Sequence, residues 1–313
     1  MKKSCLVLRA LVAIASLSAS VQWVAAQENA ASTGPAVNLV VTVEARHGSN
    51  VPEINREDVM VYEGKDRDKV TGWLPLRGDH AGLEFFILLD DSSNVSLGSQ
   101  LEDIRQFINV QPPTTKIGVA YMQNGIAQVV QNLTSDHALA AKALRLPMAN
   151  PGASASPYFS LADLIKRWPP SDERHEVLMI TDGIDRLGGV GPANPYVDTA
   201  IELAQKAGLI IHAIFATGVG HYGRMFWPIN WGQNYLSQVA SETGGEAYFL
   251  GFETPVSFAP YLEDLNRRLN HQYLLVFLAK PGKKSELQPV RPRTEVPNAE
   301  LVAASKVWVP AAS

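Results

Sequence analysis

Residues Phe85 to Ser96 read F-F-I-L-L-D-D-S-S-N-V-S. The apolar run from Phe85 to Leu89 passes straight into a cluster of hard oxygen donors, Asp90, Asp91, Ser92, Ser93 and Asn94. An unbroken apolar run closed abruptly by polar residues fits a strand buried on both faces. The polar cluster then lies at the carboxyl end of that strand, where open α/β sheets bind their ligands. Such oxygens can hold a metal ion, do chemistry or cap a helix.

Downstream of this strand the pattern alternates. Leu101 to Ile108 carries apolar residues at helical spacing. Ile117 to Met122 reads as a strand, and Asn124-Gly125 as a hairpin turn returning Ile126 to Val130. Helices are expected over Asp136–Leu146, Tyr158–Trp168, Thr199–Ala207, Tyr235–Thr243 and Tyr261–Leu269. Buried strands are expected at Val177–Ile180 and Leu209–Phe215, with a short one at Ala247–Leu250. Strands alternating with helices imply a largely parallel sheet covered on both faces.

The ends of the chain differ. Val37–Val43, Val59–Tyr62 and Lys69–Leu76 read as strands before the central one. After Asn270 come Tyr273–Leu278 and Leu301–Val309, separated by a Pro-rich run from Pro289 to Pro297. The layout is an α/β domain flanked by β segments that pack together as one unit. Met1–Ala26 has the basic start (Lys2, Lys3), apolar stretch and small residues of an export signal, and Arg9 interrupts it too early for a span of ~18 apolar residues. The only cysteine, Cys5, falls in this segment, so the mature chain has no disulfide. Gln27–Ala36 reads as a flexible leader.

The chain has 313 residues, 46 % of them apolar, and a net charge of −4. Loss of the basic export segment takes the charge to about −7. Neither value offers the basic stripe that a nucleic-acid partner needs.

Ser154 and Ser156 precede the Tyr158 helix, and Thr181-Asp182-Gly183 follows a buried strand. In a parallel sheet the loops bearing Asp90 and Asp182 leave on the same edge and can converge. Together with the serines they form an oxygen set suited to Mg²⁺. The competing reading is that Ser92 and Ser93 cap a helix starting near Leu97 while Asp182 satisfies backbone N–H groups.

These motifs resemble those of the von Willebrand factor type A domain. The Asp-x-Ser-x-Ser of its metal-ion-dependent adhesion site is matched by Asp90, Ser92 and Asn94, its loop threonine by Ser156, and its Thr-Asp-Gly by Thr181-Asp182-Gly183. Thr243-Gly244-Gly245 matches the final helix–strand junction. The resemblance covers roughly Leu83 to Leu269. The run Asp58-Val59-Met60-Val61-Tyr62-Glu63-Gly64, with Gln272-Tyr273, is also similar to segments of secreted von Willebrand factor A-related proteins of Acidobacteria. The resemblance implies Mg²⁺ or Mn²⁺ bound by hydroxyls directly and by carboxylates through water, open to a carboxylate from a partner protein. Asn94 and Ser156 depart from the family pattern.

Gly218-Val219-Gly220-His221-Tyr222-Gly223 spells G-x-G-x-x-G, but Arg224–Trp231 does not read as the start of a helix, which argues against dinucleotide binding. The same loop holds Tyr222, Phe226, Trp227 and Trp231, residues of the type that anchor interfaces, or that pack back onto the terminal β unit. There is no G-x-S-x-G and no H-E-x-x-H, and His212 reads as a satisfied core histidine. The runs Lys65–Lys69 and Asp172–Glu176 read as solvated loops.

The expectation is therefore an α/β protein: a doubly wound, mostly parallel, Rossmann-like sheet with β-rich extensions at both ends. Its divisions are a signal at 1–26, a leader at 27–36, a β segment at 37–78, the α/β domain at 79–270 and a second β segment at 271–313. The expected function is non-catalytic protein binding, secreted or periplasmic, through a site of Asp90, Ser92, Asn94, Ser156 and Asp182. One alternative is a scaffold module with a degenerate metal site, binding through the aromatic loop at 221–235. Another is an enzyme of unrecognised type.

Overall fold

The computed structural model describes residues 34–150, 155–189, 191–220, 222–280 and 282–311, with the side chain of Tyr222 excepted. The export-signal segment with Cys5, most of the leader, Ser154 and His221 lie outside the described residues.

In chain order the elements are β1 (Ala36–Ala45), β2 (Val59–Glu63), β3 (Asp66–Pro75), β4 (Leu83–Asp90), α1 (Leu101–Asn109), β5 (Thr115–Gln123) and β6 (Ile126–Thr134). Then come α2 (His137–Lys142), α3 (Pro157–Arg167), β7 (Arg174–Thr181), α4 (Pro195–Ala207), β8 (Ile210–Phe215), α5 (Phe226–Thr243), β9 (Ala247–Tyr248) and α6 (Ala259–Leu269). The chain closes with β10 (Gln272–Leu278), β11 (Glu286–Pro289), β12 (Arg291–Thr294), β13 (Ala299–Ala303) and β14 (Lys306–Val309).

β4 lies near the middle of a sheet ordered β6-β5-β4-β7-β8-β9, parallel throughout except for the β5–β6 hairpin. All of its residues are buried. Its alternation splits the core in two. Leu83, Phe85, Ile87 and Leu89 face a cluster with α1, α2 and α6, while Phe86 and Leu88 face one with α3, α4 and α5. That two-sided burial is why β4 reads as a continuous apolar run. The chain winds from β4 out to β6 on one side and from β7 out to β9 on the other. The crevice between β4 and β7 is therefore the topological switch point of the sheet.

The two ends of the chain share a second, antiparallel sheet ordered β12-β2-β3-β10-β1-β13. β1 pairs with β10 from Ala36↔Leu278 to Thr42↔Gln272, which joins N-terminal and C-terminal segments directly. Its core alternates Val37, Leu39, Val41 and Val43 on the inner face, and Trp73 stacks on Tyr273 with ring centroids 4.5 Å apart.

Several local expectations are corrected. The Pro-rich run contains strand β12 rather than a mere separator: Pro292 lies on a sheet edge, where its missing N–H costs no ladder bond. Leu301–Val309 is two strands, β13 and β14, the latter pairing with β11. Lys65–Lys69 is mostly β3 rather than a loop. The end of the Asp172–Glu176 run enters β7, and Glu176 is fully buried. Helix α2 stops at Lys142, short of the expected Leu146, because the chain turns there to carry Arg145 to Asp91. Helix α5 starts at Phe226, in the segment read as non-helical. Pro228 falls in its first turn, where no intrahelical N–H bond is lost.

Candidate functional site

Asp90 ends β4, and both of its carboxylate oxygens are engaged. Oδ1 accepts from the N–H of Ser92 at 2.8 Å, and Oδ2 accepts from the Thr181 hydroxyl at 2.6 Å. The second bond ties the β4 loop to the end of β7 across the switch point. Asp182, the next residue, accepts from the N–H of Ile184 at 2.9 Å through Oδ1. Its Oδ2 receives Nη2 of Arg186 at 2.7 Å. The Asp182 side chain is 1 % exposed and that of Arg186 12 %. Burial pushes the Asp182 carboxyl up to about 6; Asp90 pushes the same way and Arg186 pulls it down.

Gly183 explains the glycine of the Thr-Asp-Gly motif. Its φ is +67°, and a Cβ there would strike the carbonyl of Gly232 in α5. Tyr158 donates its hydroxyl to the Gly183 carbonyl at 2.9 Å, so α3 and α5 both pack on this turn.

Ser156 is the N-cap of α3, its hydroxyl accepting from the N–H of Phe159 at 3.3 Å. Asp90, Ser156 and the β5–β6 turn line a hollow of about 10 Å³, room for about one water molecule. Asn94 is half-buried and caps the following 3₁₀ turn, accepting from the N–H of Ser96 at 2.9 Å. The loop after β8 closes over the site. Asn94 donates its N–H to the Thr217 carbonyl at 2.9 Å, and Val219 donates to the Ser92 carbonyl at 2.9 Å. A Cβ at Gly218 would strike the Asp182 carboxylate, so this glycine permits the close approach.

The structure thus gathers Asp90, Ser92, Ser156 and Asp182 at one buried point, with Asn94 at its margin. Among the described residues the buried hydroxyls of Ser92 and Ser93 have no hydrogen-bond partner, the one feature of the set that a cation could use. The other donors are engaged in capping or pairing, and a guanidinium stands on Asp182. Among the described residues no group of three or more His, Cys, Asp or Glu is placed to hold a metal ion. As arranged, the donor set does not fit a divalent cation.

Two charged partners went unread in the sequence. Arg186 lies four residues after Asp182, a local signal that was available. Arg145 grips Asp91 with both guanidinium arms, Nη1 to Oδ1 at 2.7 Å and Nη2 to Oδ2 at 2.9 Å. Its guanidinium also lies 3.8 Å from the Tyr121 ring centroid. Asp91 accepts further from the N–H of Met148 at 2.9 Å and from the Gln123 amide. Burial opposes its ionisation, yet these bonds hold its carboxyl below the usual carboxylate range. Asp91 therefore pins the segment after α2 against the site.

The aromatic loop divides. Phe226 is 52 % exposed and Trp227 66 %. Phe226 packs edge-on against both Trp227 and Phe252, at centroid distances of 5.4 and 5.2 Å. Trp231 is half-buried against the α/β core rather than against the terminal sheet, and Tyr235 is buried, donating to the Gly191 carbonyl at 2.7 Å. Tyr222 sits in a short 3₁₀ turn. In the G-x-G-x-x-G run Gly218 and Gly223 serve close packing, Gly223 lying against the Gly218 carbonyl, while Gly220 takes a φ of +86° in open space. His212 is a core histidine, bonded to Glu176 at 2.9 Å and to the N–H of Glu246 at 3.1 Å. Thr243-Gly244-Gly245 lies away from the site. Thr243 accepts from the N–H of Ile211 at 3.1 Å, and Gly244, with φ +84°, abuts the backbone of Ala303.

This doubly wound sheet, with its antiparallel edge strand and oxygen-bearing loops at the switch point, is of the von Willebrand factor type A kind. Among solved structures the chain is similar to an aerotolerance-related membrane protein from Bacteroides fragilis, with 16 % identity over 60 % of this chain and 99 % of that one and a TM-score of 0.44. It is similar to a von Willebrand factor type A protein from Catenulispora acidiphila, with 13 % identity over 74 % and 67 % of the two chains and a TM-score of 0.46. A third is the manganese-loaded TRAP protein of Plasmodium vivax, with 10 % identity over 76 % and 98 % and a TM-score of 0.42. No family model matches the chain, and neither does any curated protein. Among the described residues no helix is long and apolar enough to cross a membrane.

Proposed function

We propose that the chain is a non-catalytic protein-binding module that docks a partner on the upper edge of its parallel sheet. The observation that carries this is the apolar rim around the buried polar site. Val95, Leu187, Phe226, Trp227, Leu250 and Val256 are all exposed, and all leave the sheet at its carboxyl end or open the helix that follows. Single exposed apolar residues are ordinary, but aromatics interlocked on the surface are the kind that anchor interfaces. Beneath the rim the carboxylates hold backbone N–H groups, a hydroxyl and arginines. That arrangement fixes loops rather than activating a substrate. The basic and apolar segment Met1–Ala26 supports a place of work outside the cytoplasm.

The rival reading has Mg²⁺ or Mn²⁺ on the Ser92 hydroxyl accepting a partner's carboxylate, and it requires capture that chelators abolish. A photo-crosslinking phenylalanine analogue in place of Trp227, and separately in place of Trp308 on β14, tests the location. Crosslinks to an extracellular protein are expected at position 227 and not at 308. Equal crosslinking at both, or at 308 alone, would refute the docking face.

A further inference from the structure

We infer that Arg186 is a built-in cation, occupying the place in the site where the sequence resemblance puts a divalent metal, so that the upper edge assembles without one. This concerns the site itself and does not depend on the protein-binding reading.

Asp182 is buried at 1 % exposure beside the buried Asp90. Two carboxylates removed from water need a positive charge close by. The guanidinium of Arg186 supplies it at 2.7 Å, itself largely buried. A guanidinium is planar and weakly hydrated, and loses little freedom when it meets a carboxylate.

Three loops close on the pair. Arg186 donates its own N–H to the Ala155 carbonyl at 3.1 Å, which binds the Asp182 loop to the segment leading into α3. Gly218 presses on the pair from the β8 side: a Cβ there would strike both the Asp182 carboxylate and Nη2 of Arg186. The β8 loop is in turn bonded to Ser92 and Asn94. A hydrated divalent ion keeps several waters and needs room for them. Here the room is held by the side chain and the adjoining hollow admits about one water.

The Asn94 and Ser156 side chains, where the sequence departs from the resembled pattern, cap the turns that follow them. The departures and the arginine thus fall at one site and act in one direction.

The test is Mn²⁺ titrated into the full chain, with free ion read by electron paramagnetic resonance, alongside thermal melts in Mg²⁺ and in chelator. The wild type should take up no Mn²⁺ at millimolar ion, and its melting temperature should not move with either treatment. Arg186→Met should take up about one equivalent, with its melting temperature raised by the ion. Should Arg186→Met fail to fold, Asp182→Asn in the same chain should restore folding by removing the stranded charge. Three results overturn the inference: wild-type uptake that Asp182→Asn abolishes, no uptake by a folded Arg186→Met, or no rescue by the second substitution.

Discussion

Asp182 and Asp68 are both buried, at 1 % and 4 % exposure, yet they are housed differently. Asp182 sits at the switch point of the parallel sheet with Arg186 against it. Asp68 sits in the terminal sheet, and among the described residues neither of its carboxylate oxygens has a hydrogen-bond partner. Burial pushes both carboxyls up to about 6. For Asp68 the neighbouring Glu63 adds to the rise, Lys280 opposes it and Asp66 reinforces it. At neutral pH both are charged, but only the upper carboxylate is neutralised where it stands. The upper edge is thus a locked polar plug with an apolar rim, and the terminal sheet carries a carboxylate that Lys280 relieves only in part.

The comparison breaks first at Arg186. Removing it as Arg186→Met strands a buried charge and should cost about 3–5 kcal/mol in urea unfolding at pH 7. Most of that should return in the double variant with Asp182→Asn. Asp91→Ala should cost less, about 2–3 kcal/mol, because Arg145 is 38 % exposed and can rehydrate. Amide exchange should then show the segment after α2 losing protection at Met148.

Asp68→Asn should act in the opposite direction. Its folded pKa lies above the unfolded one, so the folded state binds the proton more tightly. The stability this gives is present below about pH 4 and is lost as pH rises through about 6. The variant should be about 1 kcal/mol more stable at pH 7, a figure discounted for solvent screening. Its stability should also vary less than the wild type's between pH 4 and pH 7. Trp227→Ala, at an exposed position, should change stability by no more than about 0.5 kcal/mol while removing partner capture.

The sequence revealed β4 and β7 because burial on both faces leaves an apolar run with nothing to interrupt it. It revealed the meeting of Asp90 and Asp182 because parallel strands deliver their following loops to one edge. It did not reveal β12, whose prolines suit an edge but resemble a linker. Nor did it reveal the start of α5, where a proline in the first turn looks like a breaker. Arg145 was illegible because its partner Asp91 lies 54 positions away in the chain. Phe252, which extends the aromatic pair of Phe226 and Trp227, is likewise brought there only by the fold.

Capture of partner by the immobilised chain, with and without chelator, and with Trp227 and Phe252 both replaced by alanine, tests the account most directly. A docking rim that needs no metal predicts capture that is unchanged by chelator and lost in the double variant. Capture lost on chelation and retained without the two aromatics would contradict it.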